Sequence, residues 1–209
     1  GQWDDASDAH ALGDLALQRA TVAEMKESFD FEKLDPQAKL SWRLAEYELA
    51  DAEAQFPFRD HEYLFNQMHG VQSGIPAFLV NQHKVTSLPD AEAYISRLNG
   101  IPEYLGQNVA NSRASAAKGI MPPRFVYDYV ISDSRSVLTG YPFTSTVTDG
   151  SEDSPLMKDF RSKVGALVED GTITQAEADT LLADAATALV GKVGPAYEAA
   201  IVEMQAQAE

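Results

Sequence analysis

Apolar residues recur at steps of three and four along almost the whole chain, and few stretches alternate as strands do. The clearest case runs from Asp35 to about Phe56, where Ala38, Trp42, Ala45, Leu49, Ala52 and Phe56 fall on one line of a helix. Asp35 predicts an N-cap and Pro36 the first helical position, where a missing N–H costs nothing. Leu40, Leu44 and Tyr47 are expected to widen this stripe, leaving Lys39, Arg43, Glu46 and Glu53 for solvent.

Ser87-Leu88-Pro89-Asp90 is a second start signal: the serine can cap and the aspartate sits in the favourable first turn. Ala91, Ile95 and Leu98 then share a face, Asn99-Gly100 predicts a stop, and Ile101-Pro102 a restart carrying Leu105 and Val109 up to Gly119. Met121-Pro122-Pro123 opens another helix, with Val126, Tyr129, Val130 and Val137 on its apolar side. The pattern breaks over 139–154, where Gly140, Pro142, a Thr/Ser/Val run and Asp149-Gly150 predict a long irregular connection or small hairpin, the best candidate for a mobile loop.

Helical spacing resumes at Ser154-Pro155 through Phe160, Val164, Leu167 and Val168 to Gly171. Thr174 and Glu177 form a capping-box pattern ahead of Leu181, Leu182, Ala185 and Leu189. Gly191 and Gly194-Pro195 interrupt that helix, and a last one carries Tyr197, Ile201 and Met204 to an uncapped Glu209. Residues 57–84, with Gly70, Gly74 and Pro76, read as loop and short helix. The fold class expected is all-α: an irregular antiparallel array of seven to nine helices with short connections, forming a single helical domain over 1–209.

Composition narrows the chemistry. Among 209 residues there are 32 acidic and 16 basic side chains, a net charge of −16, and 44% hydrophobic residues. That is enough apolar material for a core, and the charge repels a phosphate backbone, so nucleic acid is not expected as a partner. Zero cysteines exclude disulfides, thiolate metal sites and a cysteine nucleophile. No apolar run reaches the 18 to 20 or so residues of a transmembrane segment, and the Gly1-Gln2-Trp3 start lacks the features of a signal peptide.

Motif by motif, little chemistry emerges. The four histidines, His10, His61, His69 and His83, form no metal-binding helix pattern; four residues after His61 stands Phe65 where a zinc-peptidase motif needs a second histidine. Asp170 to Glu177 resembles the second half of a calcium loop, but its leading ligand positions fall on Ala166 and Val168. Gly171 as a helix stop and Thr174 with Glu177 as a cap explain those residues without calcium. Ser73 sits one position late for a nucleophile elbow. Arg124, Phe125, Tyr127, Tyr129, Tyr141 and Phe143 flank the irregular loop and are candidates to line a peptide groove, with Phe125 and Tyr129 alternatively core residues.

The order of several segments resembles a known family. Phe29-Asp30-Phe31, the run Leu34 to Trp42, His83, the run Asp90 to Leu98, and Gly119-Ile120-Met121-Pro122-Pro123 look like the amino-terminal part of the bacterial domain-of-unknown-function family 885. That resemblance implies a largely helical, exported or lipid-anchored protein, periplasmic or at the cell envelope, similar to gluzincin-type zinc metallopeptidases. Their histidine-glutamate and Gly-His-His motifs lie far toward the carboxy terminus. None of those motifs is present here, so no catalytic residue and no metal ligand is assigned in this chain, and zinc is implied for a full-length protein only. The reading is an amino-terminal helical segment, inactive alone, shaping or covering a peptide cleft, with the missing carboxy-terminal domain as partner and Arg124 and Tyr127 as candidate substrate contacts. The competing reading is a self-contained acidic helical binding or adaptor module without enzymatic role.

Overall fold

The computed structural model describes residues 1–209 and contains eight α-helices and no strands. Its contacts group into two units, Ala6–Glu62 and a larger one made of Gly1–Asp5 with Tyr63–Glu209.

The smaller unit is a helical hairpin. Helix α1 (Asp8–Ser28) starts where the Ser7 hydroxyl accepts the His10 N–H, and α2 (Pro36–Gln55) where the Asp35 carboxylate accepts the Ala38 N–H. Ion pairs Asp8–Arg59, Arg19–Glu53 and Lys26–Glu46 run in opposite sequence order and so fix the two helices antiparallel. The stripe from Ala38 to Phe56 is half-buried as its spacing requires, and Leu15 and Val22 of α1 are the two buried apolar residues of the hairpin. Leu40, Leu44 and Tyr47 do not widen that stripe; all three are exposed. Each lies two residues beyond a stripe position, which is about 200° around an α-helix, so α2 is apolar on two opposite sides.

The larger unit holds the core. Its helices are α3 (Val71–Asn81), α4 (Leu88–Ala117), α5 (Arg124–Val137), α6 (Pro155–Glu169), α7 (Gln175–Ala188) and α8 (Gly194–Gln207). Helix α4 is the central rod, in contact with α3, α7 and α8, while α5 packs on α3 and α8 and α6 on α7. Tyr94, Leu98, Ile101 and Leu105 of α4 meet Phe160, Leu167, Leu189 and Tyr197 in one buried cluster.

One predicted break is absent. Helix α4 runs unbroken through Asn99-Gly100 and Pro102. An interior proline costs about 3 kcal/mol, but Leu98, Ile101 and Leu105 are fully buried around it, and each such burial returns about 1.5–3 kcal/mol. Gly191 and Gly194-Pro195 do interrupt the last helical stretch: α7 ends at Ala188, α8 begins at Gly194, and one π-turn, Leu189–Val193, joins them, closed by the Gly194 N–H on the Leu189 carbonyl. Leu189 and Val193 are buried in that turn, and Pro195 stands in the first turn of α8 where its missing N–H has no partner to lose.

The stop and start signals elsewhere act as expected. Gly119 and Gly171 take positive φ after α4 and α6, and Thr174 with Glu177 forms both halves of the capping box of α7. The connection over 139–154 is pinned at its base: the Tyr141 N–H donates to the Glu152 carbonyl, the Ser154 N–H donates to the Tyr141 carbonyl, and Asp153, its side chain buried, pairs with Arg161 at 2.6 Å. Gly140 makes this closure possible, since its φ is +84° and a Cβ there would lie 2.6 Å from the Glu152 carbonyl oxygen.

Candidate functional site

Helix α5 carries most of the residues singled out from sequence and sorts them by face. Val126, Tyr127, Val130, Ser134 and Val137 point into the core. Phe125 and Tyr129, four apart, point out and are 55% and 58% exposed, so neither belongs to the core and Tyr129 leaves the apolar side predicted for it. Arg124 is exposed beside Asp128, whereas Tyr127 is only 2% exposed, its hydroxyl donating to the Gln207 side chain at 3.5 Å. Burial raises the pKa of the Tyr127 phenol, with a smaller push from Tyr63, and keeps it a neutral donor.

Two grooves meet at Arg135, in the last turn of α5. One, of about 770 Å³, is polar and runs between α5 and α8 past Arg124, Ser132 and Gln205. The other, of about 460 Å³, lies between the 139–154 connection and the π-turn; Leu138, Pro142, Phe143, Val190 and Pro195 form its walls and Glu198 its acidic edge. The Phe143 ring packs over Gly194, at ordinary van der Waals distance (3.5 Å) from where a Cβ would stand. Of the aromatic cluster read from sequence, therefore, Phe143 lines a groove, Phe125 and Tyr129 form an exposed face of α5, and Tyr127 supports the helix from behind.

All 209 residues match the family described as "Bacterial protein of unknown function (DUF885)". The chain belongs to that family. Among solved structures it is similar to the crystal structure of a "putative lipoprotein" from Colwellia psychrerythraea, at 19% identity and a TM-score of 0.58, over 68% of this chain and 22% of that one. The matched part of this DUF885 chain thus spans about a fifth of the solved protein it resembles, and the likeness concerns the fold. No curated protein matches it. No helix is long and apolar enough to cross a membrane.

The donor groups of this DUF885 chain do not fit the zinc implied by the resemblance. No three histidine, aspartate or glutamate side chains converge, and the His61 ring lies 3.2 Å from the Phe58 carbonyl in its own turn. Glu177 is committed to the capping box, where its carboxylate accepts from Thr174 at 2.7 and 2.8 Å, instead of joining a calcium shell.

Sequence reading missed a polar cluster between α3, α4 and α6. Lys163 donates to the Leu79 and Val80 carbonyls and to Asp159, which also accepts from the Tyr94 hydroxyl. Beside it His83, buried, has Nε2 3.0 Å from the Asp90 carbonyl, so Nε2 carries the proton and Nδ1 accepts from Arg97 Nη1 at 2.8 Å. Burial lowers the pKa of His83, the Arg97 and Lys163 charges adding to the effect against the opposing Asp90 carbonyl. A lysine four residues after an aspartate on α6 was a visible signal of an ion pair; that it reaches back to cap α3 was not.

Proposed function

We propose that this chain is a non-catalytic helical portion of a longer, exported DUF885 protein, in which it forms one wall of a peptide cleft. The observation that carries this reading is the outward face of α5: Phe125 and Tyr129 exposed, Arg124 beside them, and Arg135 at the junction of two grooves, one polar and one lined by Phe143 and prolines. Large apolar patches left on a surface mark places where another surface docks. The length of the solved relative supports the rest, since most of that chain has no counterpart here. Arg124 is the substrate contact we assign to the face, with Tyr127 holding α5 in place beneath it. Any zinc-dependent peptide hydrolysis by the full-length protein would rest on residues outside these 209.

The test is to express the open reading frame as the gene carries it and assay chelator-sensitive peptide hydrolysis, alongside residues 1–209 alone. The reading expects activity in the longer chain, none in 1–209, and a raised KM for peptide with Arg124→Ala. A gene that stops after Glu209, together with peptide binding by this chain alone, would favour an adaptor module instead.

A further inference from the structure

A second cavity, unrelated to the α5 face, lies where the amino-terminal segment crosses α3 and α4. Its volume is about 460 Å³, and three aromatic rings wall it: Trp3 stacks on Tyr104 at 5.2 Å and meets Phe78 at 5.4 Å, with Ile75 as the buried floor. The segment is held there by the Trp3 indole N–H on the Arg97 carbonyl and by the Ser96 hydroxyl on the Gly1 carbonyl. Gly74 of α3 also lines the cavity, with nothing within 4 Å of where a Cβ would stand.

The one strong charge set into this wall is Arg97. Its guanidinium has five N–H donors, and the bond it makes is from Nη1 to His83 Nδ1. The guanidinium lies over the Phe78 ring at 5.4 Å, and its Nε is buried with no hydrogen-bond partner. No carboxylate pairs with it, although the chain carries twice as many acidic as basic residues. Every other arginine or lysine buried to a similar degree has an anionic partner, as Arg161 has Asp153 and Lys163 has Asp159. An unpaired edge of a half-buried guanidinium, between Nε and Nη2, is the shape that a carboxylate satisfies with two parallel bonds.

We propose that this cavity binds a compact carboxylate with an apolar or aromatic body, the carboxylate on the Nε/Nη2 edge of Arg97 and the body against the wall that Trp3, Phe78 and Tyr104 form. His83 positions the guanidinium by occupying Nη1, and binding at the buried Nε requires the side chains that cover it to move aside. Asp4 and His69, both exposed, stand on the rim, where solvent and salt screen the Asp4 charge.

The probe is N-acetyl-phenylalanine, with its amide as the uncharged control. Titration calorimetry on the unaltered protein should give saturable binding of the acid and at least about tenfold weaker binding of the amide. Trp3 and Trp42 are the two tryptophans, so Trp42→Phe leaves Trp3 as the reporter, and its emission should change with the same affinity. Arg97→Gln, with its helical signal intact, should lose the preference for acid over amide. Equal binding of acid and amide, no saturable heat at millimolar concentration, or binding to which Trp3 is blind would each overturn the proposal. Because the probe and cavity are independent of any peptidase activity, failure here leaves the α5 reading standing, and the reverse.

Discussion

Replacing Lys163 with methionine should be among the most damaging single changes available outside the apolar core. The ammonium has three donors and spends all of them, on the Leu79 carbonyl at 2.7 Å, the Val80 carbonyl at 3.1 Å and Asp159 at 2.8 Å. Its side chain is 18% exposed and that of Asp159 14%, so water replaces little of what is lost. Breaking a buried pair by removing one partner costs about 3–5 kcal/mol, and this residual exposure places Lys163→Met near the lower end, about 3 kcal/mol. Methionine keeps the bulk, so the loss is electrostatic and not a cavity. Tyr94→Phe removes one hydrogen bond to the same carboxylate at 3.0 Å and should cost about 1.5–3 kcal/mol, the range for a bond to a charged group. Burial holds the Tyr94 phenol protonated, so it acts as a donor throughout the accessible pH range. Both residues act through Asp159, and the double variant should depart from additivity by about 1 kcal/mol. Urea unfolding followed by far-ultraviolet circular dichroism at pH 7 reads all three numbers. A loss below about 1 kcal/mol for Lys163→Met, or additivity within about 0.3 kcal/mol, would refute the picture of one shared carboxylate clamping α3, α4 and α6.

Acid should weaken the fold through His83, whose pKa lies below its ordinary 6.5. The unfolded chain then binds a proton that the folded chain resists, so the stability from neutral His83 is complete above pH 6.5 and is lost as pH falls from there toward the folded value. His83→Gln should flatten that part of a stability profile measured between pH 7.5 and about 5. Thr174→Ala removes half of a complete capping box and should cost about 1 kcal/mol in the same unfolding experiment. Gly140→Ala adds a Cβ at φ +84°, 2.6 Å from a carbonyl oxygen, and should cost at least about 1 kcal/mol while loosening 139–154 toward limited proteolysis.

The sequence made local rules legible and left tertiary decisions hidden. Caps at Ser87, Asp35 and Thr174 and glycine stops at 119 and 171 depend on neighbours a few residues away, and they stand where the spacing placed them. Pro102 looks like a break to the same rules, but Leu98 and Ile101 are buried around it and keep the helical axis going. The faces of α5 and α2 failed for a related reason. Tyr129 and Leu44 satisfy a hydrophobic pattern, and which apolar stripe meets a neighbour is settled by where that neighbour lies. For the candidate sites the limit is sharper. Arg97, His83, Trp3 and Tyr104 share one cavity wall or its support, yet Trp3 and Tyr104 are a hundred residues apart in sequence and no spacing rule joins them.

The central claim, that these 209 residues are one helical wall of a longer DUF885 protein, is tested most directly by the intact mass of the native protein isolated from its own cells. The account predicts a single polypeptide severalfold heavier than the 22.8 kDa of this chain, containing these residues near one end. A native mass at 22.8 kDa would contradict it and leave a free-standing helical binding protein.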